Sequence, residues 1–575
     1  MATPKAVKKT AAKKTAAKKP AKKTAKKAAA KKAAKKTPID PLGGGPLVLE
    51  GRIVTMVEGA PVIAHGRCYI NESTFVAVQD AAAPAPPGFA SAPVLATEGT
   101  IYPGLIELHN HLPYNALRLW DVPKLYANRD TWAGTAAYRS LISGPMQVLG
   151  KSPDVVPALI RYVEAKTLLG GTTTSQGVAL FSNSGIQRFY RGIVRNVEET
   201  DEAELPEANT RVADVDAATA EKFLARLKKE TCFILHLSEG TNEAARKHFL
   251  ALRIAGDAWA ITPQLAGIHC VAMKPEDFAV YGQRGGAMVW SPFSNLLLYG
   301  ATADVKAARA AGVRIGIGSD WSPSGSKNLL GELKVAAAWN EVHQVFTGEE
   351  ILAMATRTAA AILQWDSLLG TLAAGKRADV LVVDGVEKDP YEQLFRAREA
   401  DVGLVLINGV PRYGHATWMA QLGAKKETLK VGTQAQALNF VQETQDPLVG
   451  KISLADATDL LADALKNIVK RAKDLEKPKP VAALSALGGA PVWQLELDEI
   501  QPTEMSMRPL LPSPDGGRRV GARALAGKGS EPISKIVKSM VLDPLTVAGD
   551  GEFLDAVKAE KNLTQDLVDG LVNRY

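Results

Sequence analysis

Cysteine is scarce in this chain of 575 residues: Cys68, Cys232 and Cys270 are all it holds, in no C-x-x-C spacing. That excludes a disulfide scaffold and a cysteine-built zinc module, and it points to a reducing, cytoplasmic compartment. No apolar run reaches the ~18 residues that a membrane-spanning helix requires, so no membrane partner is expected. Histidine is sparse too, with 8 residues, so the places where it does occur are informative. Acidic residues are absent from 1–38, where 15 lysines stand. The rest of the chain carries 54 basic against 61 acidic side chains, a net of −7. The overall charge of +8 is therefore the charge of a tail and says nothing about the ligand of the body.

Residues 1–38 are mostly Lys, Ala and Thr in units such as AAKKT. They have no apolar face and repel one another, which predicts disorder. They lack the apolar stretch of a secretory signal and the Arg and Ser of a transit peptide. The segment is similar to the Lys/Ala-rich tails of linker histones. Its charge density predicts binding to nucleic acid or another polyanion. A solvated tail that serves solubility is the alternative.

Length alone predicts more than one domain. Residues 46–103 read as short strands cut by turns, too few to stand alone. Their completion is expected in 364–416, which would give a discontinuous β-domain made by both flanks. Between them, 104–363 alternates strands with helical stretches, the pattern of a parallel α/β fold. Eight strands are expected: LIELHNH (105–111), 170–177, 189–196, 210–215, 232–239, 264–270, 287–292 and 313–320. Helices are expected over 217–230, capped by Asp216, and over 242–254, entered through Thr241. This span is close to the size of a (β/α)8 barrel. In 417–575, an extension of unassigned role, a helix is predicted over 453–473. Residues 478–521 read as loop, and 533–575 as helical.

Four of the eight histidines fall at the ends of three expected strands. His109 and His111 close the first. Strand alternation puts them on one face, an arrangement that a divalent metal can use. His236 and Glu239 close the fifth, His269 the sixth, and Asp320 the eighth. The C-terminal strand ends are where barrel enzymes place their sites. Tyr114, Trp120, Trp290, Phe293 and Trp321 stand near the same ends and could sandwich a planar ring. Asn295, Ser322 and Lys327 are candidates to hydrogen-bond a substrate.

The segments PGLIELHNH, LLGGTTT, HLSEG, GIHC, WSPFSNLLLYG, GSD and ATRTAAAILQWDSLLGTLAAGKRADVLVVDG carry a resemblance. With them the chain resembles the amidohydrolase superfamily, in the branch of cytosine deaminase, guanine deaminase and the triazine hydrolases. The resemblance spans about residues 46–414. It implies a distorted (β/α)8 TIM barrel with a small β-sandwich formed by both flanks. It implies His109, His111, His236 and Asp320 as metal ligands, with Glu239 and His269 as the catalytic pair and Asp320 also taking the proton of water. Zn²⁺ is the implied ion, with Fe²⁺ as alternative. Relatives with two metals bridge them through a carboxylated Lys on the fourth strand. Residues 210–215 hold no Lys, and Lys166 stands in the helix before the second strand, so one ion is expected. The implied activity is hydrolysis of carbon–nitrogen bonds other than peptide bonds, as a deaminase of a small heterocycle. A cyclic amide hydrolase is the alternative, as is a catalytically degenerate barrel with a polyanion-binding tail. Assembly into a homo-oligomer is compatible with the sequence.

Overall fold

The N-terminal flank folds as its alternating apolar residues dictate, into β1 (Leu47–Ile53), β2 (Ile63–Asn71), β3 (Thr74–Asp80) and β4 (Val94–Pro103). The computed structural model describes residues 45–200, 202–211, 219–442, 446–477, 491–497, 500 and 531–575. The Lys-rich tail, Asp216 and most of the 478–521 loop expectation lie outside the described residues.

Next come β5 (Leu105–Ile106), β6 (Thr172–Ser175), β7 (Ala179–Ser182), β8 (Gln187–Phe189) and β9 (Arg195–Asn196). Strands β10 (Ala208–Arg211), β11 (Cys232–Leu237), β12 (Leu265–His269), β13 (Ala287–Trp290) and β14 (Arg314–Ile317) follow. Strands β5, β6 and β9 form one parallel sheet, and β10 to β14 form another in sequential order. The strand CFILHL is buried along its whole length, as befits a parallel strand covered on both faces. A parallel bridge between Asn110 and Asp320 ties the chain after β5 to the chain after β14.

The flanks meet through β15 (Val380–Val383), β16 (Val402–Ile407), β17 (Val410–His415), β18 (Glu427–Val431) and β19 (Gln434–Leu438). Val380 pairs with Pro103, so β15 adds antiparallel to β4. One nine-stranded sheet results, in the order β18-β19-β17-β16-β15-β4-β1-β2-β3, and it runs past residue 416 to Leu438. Alternation gives it two apolar faces: Ile101, Val380 and Val382 pack in one cluster, Tyr102, Leu381 and Val383 in another.

Two expected elements differ from the structure. Residues 189–196 are not one strand. The buried Glu164 carboxylate accepts Ile193 N at 2.5 Å and Val194 N at 3.3 Å, which takes those amides out of any ladder. Gly192 admits this approach, because a Cβ there would lie 2.0 Å from Glu164 Oε1. The helix expected over 453–473 is two, Leu454–Lys466 and Ile468–Glu476, parted at Asn467.

Shorter differences concern boundaries. The fourth strand is described to Arg211, and 212–215 lie outside the described residues. The helices near 217–230 and 242–254 span Ala220–Leu227 and Glu243–Leu250, the second capped by Asn242, whose side chain accepts Ala245 N at 3.0 Å. After residue 531 the chain forms Ile533–Ile536, Phe553–Ala559 and Gln565–Val572. It lies against the parallel sheets' surroundings, with Asp543 N donating to Ala116 O at 3.0 Å. Strand β20 (Trp493–Leu495) pairs with β7. Among the described residues, no helix is long and apolar enough to cross a membrane.

Candidate metal centre

Both parallel sheets deliver side chains to one place beyond their C-terminal ends. His109 and His111 follow β5, His236 sits in β11, His269 ends β12, and Asp320 follows β14. Ligand-capable atoms of His109, His111 and Asp320 lie within 4.8 Å of one another, as do those of His109, His236 and His269. His109 belongs to both groups. Its Nε2 is 3.0 Å from Asp320 Oδ1, and His111 Nε2 is 3.5 Å from the same oxygen. The ring of His236 is 4.7 Å from that of His109 and 5.4 Å from that of His111.

Neighbouring carbonyls assign the protons of two rings. His109 Nδ1 donates to Gln176 Oε1 at 3.3 Å, leaving Nε2 toward Asp320. His269 Nδ1 donates to Asn295 Oδ1 at 2.8 Å, leaving Nε2 toward Glu239, 3.8 Å from Oε2. Such carbonyl partners orient metal-binding and catalytic imidazoles. Glu239 is buried, and its Oε1 accepts Tyr299 OH at 2.6 Å. Trp132 Nε1 in turn donates to Tyr299 OH at 2.8 Å.

Burial sets the charge states. It pushes His111 down to about 3, with the neighbouring His109 adding to the effect. It pushes His236 well below the usual imidazole range, again helped by His109. Burial alone would raise the Asp320 carboxyl, but the hydrogen bond and charge of His109 hold it below the usual carboxylate range. Burial thus favours the neutral form of His111 and His236, while Asp320 stays ionised, the protonation states that metal ligands need. This donor set of nitrogens and a carboxylate oxygen fits a Zn²⁺-like ion.

The backbone is strained where these residues emerge. Ser238 (φ +53°), His269 (+68°), Cys270 (+54°) and Asp320 (+63°) all adopt left-handed conformations without being glycine. Outliers of this kind concentrate at functional sites, because surrounding structure must hold them there. Glu107 provides part of that hold at Asp320: its two oxygens accept Ser319 N at 2.8 Å and Ser319 Oγ at 2.9 Å.

Tyr114, Trp321, Trp132, Tyr138 and Arg129 line the pocket over the site together with His111, His236, Glu239, His269 and Asp320. Of the aromatic candidates, Tyr114 and Trp321 line the pocket and three others do not. Trp290 points away from the site: its ring packs 5.2 Å from Trp339, and its Nε1 donates to Thr302 Oγ1 at 2.6 Å. In β13 the side chains of Ala287 and Val289 face the cluster shared with Ile234 and Ile268, so alternation sends Trp290 to the other side. Trp120 is buried between Tyr126 and Tyr138, outside the pocket lining. Phe293 is likewise core. Asn295 is spent on His269 and on Thr302, so it supports a ring instead of facing a substrate. Ser322 accepts from Lys166 at 2.9 Å, and Lys327 pairs with Asp543 and Asp550. Lys166 is thus no bridge between metals, and β10 holds no Lys.

Sequence reasoning missed Gln176, Tyr299, Arg129, Trp132 and Tyr138. Gln176 carried a signal, since it stands one residue before the end of the expected second strand. Tyr299 stood within the SNLLLYG segment, but nothing in its spacing marked its partner. Arg129, Trp132 and Tyr138 come from the excursion after β5, whose path packing alone determines.

The profile of the amidohydrolase family matches residues 100–412, more than half of the chain. A 5-methylthioadenosine/S-adenosylhomocysteine deaminase of Moorella thermoacetica is 25% identical over 419 residues, 64% of this chain and 93% of that protein. A protein of the same description from Desulforudis audaxviator is 35% identical over 159 residues, 26% of this chain. The chain spans 37% of the length of that second relative. A crystal structure of an adenosine deaminase from Xanthomonas campestris with bound zinc superposes with a TM-score of 0.53 at 18% identity, covering 75% of this chain and all of that one. At that identity the likeness is one of fold. Residues 100–412 enclose His109 through Asp320 and every strand that carries them, and on that match the chain belongs to the amidohydrolase family.

Proposed function

We propose that this chain is a metal-dependent hydrolase of carbon–nitrogen bonds, acting as a deaminase on a small heterocycle. One observation carries the reading: His109, His111, His236 and Asp320 converge beside Glu239 and His269 at the floor of a single aromatic-walled pocket. One Zn²⁺, or Fe²⁺ in its place, would be held by those three histidines and Asp320. When bound, such an ion supplies Lewis acidity and makes water acidic enough to ionise near neutral pH.

The chain's own groups move the protons. His269 Nε2 carries a lone pair, because Nδ1 is committed to Asn295. It accepts a hydrogen bond from the attacking water. Asp320 takes that water's proton. Glu239 keeps Oε2 open while Tyr299 holds Oε1. It relays to a ring nitrogen the other proton of that water, and then to the departing amine the proton that Asp320 took, as general acid–base groups do. Tyr114 and Trp321 give the pocket aromatic walls for a planar ring, and Arg129 gives it a cation.

The fold supports the same reading. A single cluster takes Ile106 and Leu108 from the β5 segment together with Ile234, Ile268 and Val289 from β11 to β13. We read the two parallel sheets as arcs of one distorted (β/α)8 barrel, and the nine-stranded sheet as the small sandwich beside it. The three cysteines are buried and form no disulfide, which suits a reducing compartment. The Lys-rich tail is read as a separate polyanion-binding element.

A panel of purines, pyrimidines and hydantoin-like rings, assayed for released ammonia and for ring opening, tests the activity. Ammonia release supports the deaminase. Ring opening without ammonia makes the chain a cyclic amide hydrolase. Neither product, with no bound metal, makes it a degenerate barrel.

A further inference from the structure

Two buried lysines sit behind the site, and their counter-charges come from outside the family region. Lys166 lies on the helix Val156–Leu169, and Lys327 in the segment after Asp320. Neither is more than 2% exposed. Both reach Asp543: Lys327 Nζ is 2.5 Å from Oδ1, and Lys166 Nζ bonds Oδ2. Lys327 also pairs with Asp550 at 2.8 Å. Both acids lie beyond residue 412, where the family match ends.

Lys166 spends its other protons on the loops of the site. It donates to Asn115 O at 2.8 Å and Ser322 Oγ at 2.9 Å. Asn115 follows β5 and Ser322 follows β14, so one ammonium clamps the two loops that carry His109, His111 and Asp320. The clamp continues inward. Ser322 N donates to Asn115 Oδ1 at 2.8 Å, and Asn115 Nδ2 donates to Asn110 Oδ1 at 3.0 Å. Asn110 N donates at 3.0 Å to Gln176 Oε1, the oxygen that orients His109. The path from Asp543 to His109 is an unbroken run of buried hydrogen bonds.

Removing one partner of a buried charge pair leaves the other uncompensated, and the surroundings shift to hydrate or neutralise it. Here the group left alone would be the clamp itself. We propose that Asp543, in the C-terminal extension, is a positioning residue for the metal centre, acting through Lys166 to hold the loops after β5 and β14 in the register where His109, His111 and Asp320 converge. The extension is then part of the site's construction. This rests on the metal reading above.

Co²⁺ titration of the full-length apoprotein, followed by visible absorption, tests it without any substrate. Asp543→Asn keeps the shape and removes the charge. It should weaken Co²⁺ binding at least ~10-fold, the low end for partners that orient ligands, and alter the band pattern. Asp550→Asn, which of the two lysines pairs with Lys327 and not with Lys166, should change binding less than 3-fold. Lys166→Met combined with Asp543→Asn keeps the remaining Lys327–Asp550 pair balanced and guards against simple misfolding. That double variant should fold yet bind Co²⁺ as weakly as Asp543→Asn. Wild-type affinity and spectrum in either Asp543 variant would overturn the proposal, since charge balance or mere packing would then account for the cluster. Failure of the wild type itself to bind Co²⁺ would instead overturn the metal reading.

Discussion

Replacing Glu239 by Gln isolates proton transfer from metal binding. Gln keeps an oxygen that can accept Tyr299 OH, now at 2.6 Å from Oε1. It cannot take up a proton. Glu239 is also absent from both ligand groups, so the variant should retain about one ion per chain. The expected loss in kcat is at least ~100-fold, the low end for general acid–base groups, or about 2.7 kcal/mol of barrier. Tyr299→Phe probes the same carboxylate indirectly. A hydrogen bond to a charged group is worth roughly 1.5–3 kcal/mol, and only part of it bears on the orientation of Glu239. A loss of about 10-fold in kcat is therefore expected. Because Tyr299 acts through Glu239, the double variant should be no worse than Glu239→Gln alone. The assay is steady-state turnover of whichever heterocycle the panel identifies, with metal content measured beside it. Near-normal turnover in Glu239→Gln at full metal content would refute the assignment, and strictly multiplicative losses in the double variant would remove Tyr299 from it.

Three further outcomes are expected. His236→Ala and Asp320→Ala should each lose the ion and all turnover, and elemental analysis showing full retention in both would end the ligand assignment. Glu332 is buried, with Phe293 N at 2.9 Å and Ser326 Oγ at 2.5 Å on its oxygens, and burial raises its carboxyl from 4.5 to about 8. A raised carboxyl favours folding below pH 4.5 and loses that contribution as pH climbs through 8, at about 1.4 kcal/mol per unit. Glu332→Gln should then match the wild type's melting temperature at pH 4 and exceed it at pH 9; equal values at both would refute the shift. Deleting residues 1–38 should abolish retention on DNA at low salt and leave metal content and kcat unchanged, and retention that survives with the same salt slope would place polyanion binding in the body instead.

The sequence showed this site where its chemistry is rare and its period simple. Four of only eight histidines at strand ends made a shared site the better account, and Asp320 closed the last expected strand. Alternation did less well beyond that. Ala266 and Ile268 of β12 face the cluster shared with Ile234, so a regular strand offers no clear account of how His269 reaches the pocket. Its left-handed backbone at +68° re-aims it. Trp290 is the converse, an aromatic at the right strand end on the wrong face. Asn295, Trp120 and Lys327 looked available because proximity in sequence does not reveal whom a polar group already serves. The C-terminal extension carried no motif at all. Its Asp543 becomes meaningful only when folding brings it against Lys166, 377 residues away.

The nine-stranded sheet has a consequence in time. Strands β1 to β4 leave the ribosome early, yet β4 acquires β15 only when Val380 emerges, about 280 residues after Pro103. At the usual pace of synthesis, 5–20 residues per second, that is a wait of roughly 15–55 s. Through that interval the nascent chain presents an open β-edge bearing Ile101 and Tyr102. Unpaired edges of this kind recruit other chains. Such a protein should be produced best when synthesis is slow and cool or when holding chaperones are abundant, and its yield should fall before its folded stability does.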